Sequence, residues 1–127
     1  MPVRWLTPTR PRTSALAGRV SAMVVPEIDV AELVRVREQG AVVIDVRRPD
    51  EYEKFHVPGA RLIPLGEVPE RADEIPSDTT VYLICATGAR SARAAEFLNS
   101  QGYETVNVAG GSKAWLEAGH PVEHGPA

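Results

Sequence analysis

The only cysteine of the chain, Cys85, stands between a hydrophobic run and a loop of small residues that closes on Arg90. The run Val81–Ile84 has the composition of a buried strand, and a helical pattern begins at the end of the loop. A nearby arginine or helix N-terminus lowers the pKa of a thiol, and amides at helix starts bind anions. The spacing therefore predicts a thiolate nucleophile acting on an anionic substrate.

The composition is that of an ordinary globular protein with one free thiol. The 127 residues are 43% hydrophobic and 24% charged, which fits a single domain with its own core. One cysteine excludes an internal disulfide, a Cys-x-x-Cys redox pair and a metal site of several thiolates. A lone free thiol favours a reducing compartment, so we expect a cytoplasmic protein.

Charge is distributed unevenly along the chain. Residues 1–22 hold four arginines and no acid, whereas residues 23–127 hold all 17 acids and the other 10 bases. An acidic body argues against nucleic acid as a ligand, and no apolar run approaches the ~20 residues that span a membrane. We expect residues 1–22 to be a flexible basic arm, or the product of a start codon chosen too early, and residues 23–127 to form the domain.

Strand and helix patterns alternate from residue 24 onward. The predicted strands cover residues 24–28, 41–46, 61–64, 80–86 and 103–108. The predicted helices follow Asp29, Pro49, Ala89 and a capping Ser112, with an irregular helix in residues 66–76 and a frayed tail from Val122. This alternation predicts an α/β fold with a mainly parallel sheet of about five strands and helices on both faces.

Three candidate site elements each follow a predicted strand. They are Asp45–Arg47, Cys85–Arg90 and Ala109–Gly111. Ligands of parallel α/β sheets bind at the carboxyl ends of the strands. We therefore expect these three elements to lie together around one site.

Four motifs occur in a fixed order along residues 26–120. They are Asp45-Val46-Arg47 with Glu51-Tyr52, His56-Val57-Pro58-Gly59-Ala60, Cys85-x-x-Gly88-x-Arg90-Ser91 and Gly110-Gly111-x-x-Ala114-Trp115. In these motifs the chain resembles a single rhodanese domain, a sulfurtransferase module, which implies a rhodanese-like fold. Phe55 stands where the family often has glycine, and Ser112 where it often has an aromatic residue.

The resemblance implies that Cys85 is the catalytic residue. Its thiolate would take a sulfane sulfur from a thiosulfate-like anion or a persulfide, become a persulfide, and pass the sulfur to a thiol acceptor, with no cofactor or metal. The substrate-binding residues would be those of the loop: Ala86, Thr87, Gly88, Ala89 and Arg90. Thiosulfate enzymes of the family carry basic side chains directly after the cysteine, whereas Ala86 and Thr87 are uncharged.

Asp45, Arg47 and Glu51 are expected to support the site. We expect Asp45 to bond a nearby arginine or backbone amides, because a buried acid needs such partners, and Arg47 and Glu51 to form an ion pair. His56 is predicted to be a packed turn residue, since the three histidines do not form a metal-ligand cluster. For Thr87, a hydroxyl bond to the bound sulfur and a simple loop role both remain open.

Two alternative functions remain open. A phosphatase or arsenate reductase also places a cysteine and an arginine around an anion loop. Only four residues separate Cys85 from Arg90, however, one fewer than in tyrosine-type phosphatases, and the smaller ring suits sulfur better than phosphate. The other alternative is a non-catalytic interaction module, which the uncharged loop keeps under consideration.

Overall fold

A five-stranded parallel sheet runs through residues 24–127, the part of the chain that the computed structural model describes. Its strands are β1 (Glu27–Ile28), β2 (Val42–Asp45), β3 (Arg61–Leu62), β4 (Val81–Ile84) and β5 (Thr105–Val108). They lie in the order β1-β5-β4-β2-β3, and every neighbouring pair is parallel. The predicted sheet is confirmed, while the arm predicted for residues 1–22 lies outside the described residues.

Within residues 24–127, three α-helices connect strands and a fourth follows β5. They are α1 (Val30–Glu38), α2 (Pro49–Lys54), α3 (Ala89–Ser100) and α4 (Gly111–Glu117). Asp29 begins α1 as predicted, since its carboxylate accepts the backbone N–H of Glu32 at 2.9 Å. The irregular helix predicted in residues 66–76 is a pair of short 3-10 turns, Leu65–Glu67 and Ala72–Glu74. Within residues 24–127, no helix has the length and apolar character needed to cross a membrane.

The helices cover both faces of the sheet, as predicted. One core cluster joins the sheet to α3 and the 3-10 turns, and includes Leu83, Cys85 and Leu98. The other joins the opposite face to α1 and α4 through Leu33, Ile84 and Trp115. Because β4 is covered on both sides, its sequence is apolar without alternation.

The last helix begins differently from the prediction. Gly110, at φ +82°, precedes α4 and supplies no side-chain hydrogen bond, and Ser112 lies inside the helix at 1% exposure. The prediction that Ser112 caps the helix is therefore wrong. Backbone carbonyls of the Cys85 loop satisfy the first N–H groups of α4, so no capping side chain is needed there.

The C-terminal tail is bonded to the domain, so the prediction of fraying is wrong. Glu123 pairs with His56 through two backbone hydrogen bonds of 2.8 and 2.9 Å. The N–H of Gly125 donates to the carbonyl of Glu53 at 2.9 Å, and the indole of Trp115 donates to the carbonyl of Pro121 at 2.8 Å. Composition alone does not reveal such pairing, because partners distant in the sequence supply it.

Candidate active site

The elements predicted to form the site lie at one end of the sheet. The N–H of Val46, directly after β2, donates to the carbonyl of Ile84 at 2.9 Å, and Ser112 in α4 donates to the carbonyl of Cys85 at 2.8 Å. Glu51, in the first turn of α2, reaches Arg90 in the first turn of α3. Segments after β2, β4 and β5 therefore converge around the cysteine.

The sulfur of Cys85 is buried and accepts hydrogen bonds. The residue is 1% exposed, and Sγ lies 3.1 Å from the N–H of Gly88 and 3.3 Å from the hydroxyl of Ser91. Burial raises the pKa of the Cys85 thiol, but bonds from the Ser91 hydroxyl and from backbone N–H groups of Ser91, Gly88 and Thr87 outweigh it. The pKa therefore lies below its ordinary value, which favours a thiolate.

The shape of the loop depends on Gly88. Its backbone has φ +112°, a conformation that other residues rarely adopt, and it forms the N-cap of α3. Thr87 and Ala89 are exposed, and Ala86 is half-buried. Thr87 acts on the sulfur through its backbone N–H, and the hydroxyl bonded to the sulfur belongs to Ser91.

Helix α4 fixes the peptide planes of the loop. The N–H groups of Ser112 and Lys113 donate to the carbonyls of Cys85 and Ala86 at 2.8 and 3.0 Å. In a trans peptide the N–H points opposite to the C=O, so these bonds turn the following amides toward the opposite side. The approach requires Gly111, because an added Cβ there would lie 2.4 Å from the carbonyl oxygen of Cys85.

Arg90 forms a bidentate ion pair with Glu51. The two guanidinium nitrogens lie 2.8 and 3.0 Å from the two carboxylate oxygens, and the side chains are 32% and 22% exposed. The bond from Arg90 lowers the pKa of Glu51 to about 2, and the same bond raises the pKa of Arg90. Glu51 also accepts the backbone N–H of Arg48 at 3.0 Å, which fixes its position.

The predicted ion pair between Arg47 and Glu51 is wrong. Arg47 is 3% exposed and turns back into the protein, where it bonds both carboxylate oxygens of Asp45 and, at 2.7 Å, the carbonyl of Phe55. Asp45 is fully buried and also accepts the backbone N–H of Arg47 at 3.0 Å. This matches the expected pairing of Asp45 with an arginine and backbone amides.

Phe55, which stands in a position that is often glycine, covers the buried pair. The guanidinium carbon of Arg47 lies 5.3 Å from the centre of the Phe55 ring, a cation–π distance.

His56 is 5% exposed and stacks on Tyr52, with 3.6 Å between the ring centres. Its Nδ1 lies 2.7 Å from the carbonyl oxygen of Tyr52. The prediction of a packed turn residue is confirmed. Residues 24–127 contain no cluster of three or more metal-ligating side chains.

Two buried polar residues next to the sulfur were not predicted as site residues. Ser91 is fully buried, and its hydroxyl lies 2.5 Å from Oδ1 of Asn107, which is 1% exposed. Ser91 follows Gly88 by three residues, the spacing at which a first-turn side chain faces back over a helix start. Asn107 is a lone amide in the apolar run of β5, and a buried amide needs partners. These two signals were present in the sequence.

Comparison with known proteins identifies a family and several relatives. Residues 29–118 match the family model of the rhodanese-like domain. The putative sulfur carrier protein YrkF of Bacillus subtilis is 39% identical over 98 residues, which make up 75% of this chain and 53% of YrkF. The chain thus spans about half the length of that relative.

Two further proteins are similar over most of their own length. Thiosulfate sulfurtransferase PspE of Escherichia coli is 47% identical over 72 residues, covering 55% of this chain and 69% of PspE. The crystal structure of a rhodanese-related protein from Thermoplasma volcanium is 36% identical with a TM-score of 0.73, covering 77% of this chain and 97% of that one.

Proposed function

Since this chain belongs to the rhodanese-like domain family, we propose that it is a sulfurtransferase that carries a sulfane sulfur as a persulfide on Cys85. Relatives named as a sulfurtransferase and as a putative sulfur carrier support sulfur transfer at the level of the family. The assignment of Cys85 to the chemistry is our proposal, and it depends on the geometry of the loop.

The reaction has two steps. In the first, the Cys85 thiolate attacks the outer sulfur of the donor. The Sγ–S bond forms while the bond to the rest of the donor breaks, and the electron pair leaves with the donor remnant, which is sulfite for thiosulfate and a thiolate for a persulfide. In the second, an acceptor thiolate attacks the outer sulfur, forms its own persulfide and releases the Cys85 thiolate. Sulfur transfer is thereby divided between two covalent steps.

The observation that carries the proposal is the hydrogen-bonded state of Sγ. The sulfur accepts bonds from the Gly88 N–H and the Ser91 hydroxyl, and its pKa is lowered. The N–H groups of Thr87 and Gly88 are fixed before any donor arrives, so they stabilise negative charge on sulfur without reorganisation. Both a thiolate and the outer sulfur of a persulfide carry such charge.

The charge around the loop favours a weakly charged donor. Arg90 is the only basic side chain in residues 85–91, and Glu51 already occupies its guanidinium. Thiosulfate carries two negative charges at neutral pH, and no other basic residue of the loop offsets them. We therefore propose a persulfide as the preferred donor and thiosulfate as a poorer one. Ala86, Thr87, Gly88 and Ala89 would contact the donor, while Arg90 would orient its charged end.

The acceptor must come from outside the chain. Cys85 is its only cysteine, so no second thiol in the chain can resolve the persulfide. We propose a small-molecule or protein thiol as acceptor and a reducing compartment, such as the cytoplasm, as the place of action.

Intact mass spectrometry tests the proposal. The protein is incubated with an alkyl persulfide or with thiosulfate, and we expect a gain of one sulfur atom that Cys85→Ser abolishes and that an added thiol removes. Thr79→Val, which replaces an exposed hydroxyl outside the loop, is the matched control and should keep the adduct. The absence of an adduct with either donor would favour the interaction module, and turnover of an aryl phosphate would favour the phosphatase.

A further inference from the structure

A line of hydrogen bonds leads from the buried sulfur to the edge of the sheet. The Ser91 hydroxyl contacts Cys85 Sγ at 3.3 Å and Asn107 Oδ1 at 2.5 Å. The Nδ2 of Asn107 donates to a carboxylate oxygen of Glu27 at 2.8 Å. Glu27 and Asn107 are direct register partners of β1 and β5, so their side chains leave the same face of the sheet.

The Ser91 hydroxyl has one hydrogen and three acceptors within reach. Besides Cys85 Sγ and Asn107 Oδ1, the carbonyl of Gly88 lies 3.3 Å away. A hydroxyl donates one hydrogen bond at a time and accepts with its lone pairs. Asn107 Oδ1 carries no hydrogen, so Ser91 is the donor in the 2.5 Å contact, as it is in the longer contact with the sulfur. The sulfur and the amide oxygen therefore compete for the same proton.

Glu27 decides which end of the Asn107 amide faces Ser91. A carboxylate only accepts hydrogen bonds, so it holds the NH₂ group of Asn107 and leaves Oδ1 pointing at the hydroxyl. With the amide rotated by half a turn, Nδ2 would donate to Ser91, and the serine hydrogen would be free for the sulfur. Glu27 is exposed at the sheet edge, whereas Asn107 is 1% exposed.

We propose that Glu27 is a positioning residue that acts on Cys85 through Asn107 and Ser91, by drawing the serine hydrogen toward the amide and so weakening the bond that Ser91 donates to the thiolate. The loop amides of Gly88 and Thr87 then stabilise the thiolate with less help from the hydroxyl. A thiolate that is stabilised less is more basic and a stronger nucleophile, which suits attack on a sulfane sulfur. The inference rests on the proposed function only for this catalytic benefit.

Other charges also act on the thiol. The test has to separate their effect from that of the relay, which is the line of hydrogen bonds from Glu27 through Asn107 and Ser91 to Cys85. The charges of Arg90 and Cys85 interact, and Arg90 is also paired with Glu51. The buried carboxylate of Asp45, which is paired with Arg47, interacts with Arg90 as well. Glu27 itself is negative, so its removal favours the thiolate through space as well as through the relay. A variant that removes the hydroxyl while keeping the charges isolates the relay.

The test measures the pKa of Cys85 from the pH dependence of its alkylation by iodoacetamide. Glu27→Gln, which allows the amide to rotate, should lower this pKa by about half a unit to one unit, the value of one added hydrogen bond to sulfur. In the Ser91→Ala background the same substitution should lower the pKa by less than half as much, because only the through-space effect remains. Equal shifts in the two backgrounds would overturn the proposal, as would no shift in the single variant.

A second background keeps the test decisive if Ser91→Ala does not fold. Asn107→Ala removes the amide that links Glu27 to Ser91, so Glu27→Gln should again have less effect there than in the wild type. Alkylation requires no sulfur donor, so the thiol pKa reports on the relay even if no persulfide forms. Conversely, if a persulfide forms but Glu27→Gln shifts the Cys85 pKa equally in both backgrounds, the proposed function stands and the relay is rejected.

Discussion

Arg90 and Glu51 lie 39 residues apart in the sequence and form a two-point ion pair above the Cys85 loop. The pair joins the first turn of α2 to the first turn of α3. Its bidentate geometry fixes the plane of the guanidinium, so the arginine has one orientation rather than many. The pair also neutralises the only basic side chain of the loop.

The ion pair predicts an acid-sensitive contribution to stability. The pKa of Glu51 falls from 4.5 to about 2 on folding, so its contribution is complete above pH 4.5 and is lost as the pH falls toward 2. Glu51→Gln should lower the free energy of unfolding by about 1–2 kcal/mol at pH 7, a modest value because both side chains are partly exposed. Urea unfolding of both proteins between pH 7 and pH 2 measures the difference.

The pH dependence of this difference in unfolding free energy tests whether the ion pair is its cause. The gap between wild type and Glu51→Gln should be constant from pH 7 to pH 5 and should close toward pH 2. Glu53→Gln, an exposed position on the same helix, is the matched control and should leave the unfolding free energy nearly unchanged. A gap for Glu51→Gln that stays the same at every pH would contradict the assigned ion pair.

The ion pair between Arg90 and Glu51 should also influence which sulfur donor the protein prefers. Glu51→Gln frees the Arg90 charge and should lower KM for thiosulfate roughly threefold to tenfold, with a smaller change for an alkyl persulfide that carries less charge. Arg90→Ala should raise KM for thiosulfate more than for the persulfide. Steady-state kinetics with both donors provide the comparison. Equal changes for the two donors would argue against an orienting role for Arg90.

Gly111 is predicted to be essential for the geometry of the loop. At φ +62°, Gly111→Ala would strain the backbone and place Cβ 2.4 Å from the carbonyl oxygen of Cys85, so the loop must move. We expect sulfur transfer to fall about 10- to 100-fold, as misplacement on the ångström scale does in active sites. Gly119→Ala, at φ +83° with nothing within 4 Å, has comparable strain without the contact.

Comparison of the Gly111→Ala and Gly119→Ala variants separates the effect of backbone strain from the effect of displacing the loop. Gly119→Ala should cost about 1–2 kcal/mol of stability and leave the transfer rate of the folded protein unchanged. Both effects are read from urea unfolding and from single-turnover sulfur transfer. If both variants lost transfer activity equally, contact with the loop would not be the cause.

The C-terminal tail is predicted to stabilise the domain. Ending the chain after Pro121 removes two backbone bonds to His56 and the packing of Val122 against the core. We expect a loss of about 1–3 kcal/mol, because the buried backbone groups of His56 are left without partners. Ending it after Gly125 keeps these contacts and serves as control. Equal urea midpoints for the two truncations would mean that the tail contributes nothing.

Much of the fold could be predicted because its signals are local. The apolar runs around Val43 and Leu83 predict buried strands, and Asp29 predicts the start of a helix. The small residues between Cys85 and Arg90 predict a loop between a strand and a helix from nearest neighbours alone. Each of these signals depends on residues within one element, where hydrophobic periodicity and capping rules apply.

The errors concern partners that are distant in the sequence. The sequence analysis predicts an ion pair between Arg47 and Glu51, whereas the fold brings Arg90 within reach of Glu51 and turns Arg47 toward Asp45. The sequence analysis predicts a frayed tail, whereas Glu123 pairs with His56, a residue far upstream in the sequence. Spacing in the sequence gives the possible partners of a side chain, and the packing of α2 against the loop selects one of them.

The bonds from Ser112 and Lys113 to the carbonyls of Cys85 and Ala86 make chemical competence a property of the whole domain. The segment from Cys85 to Ser91 contains the proposed nucleophile, but α4 supplies the donors that bond the carbonyls of Cys85 and Ala86. During synthesis the loop emerges before the helix that orients it, so its carbonyls are still free at that stage. The cysteine therefore gains its full set of oriented donors only when the last helix docks, which links the onset of reactivity to the completion of folding.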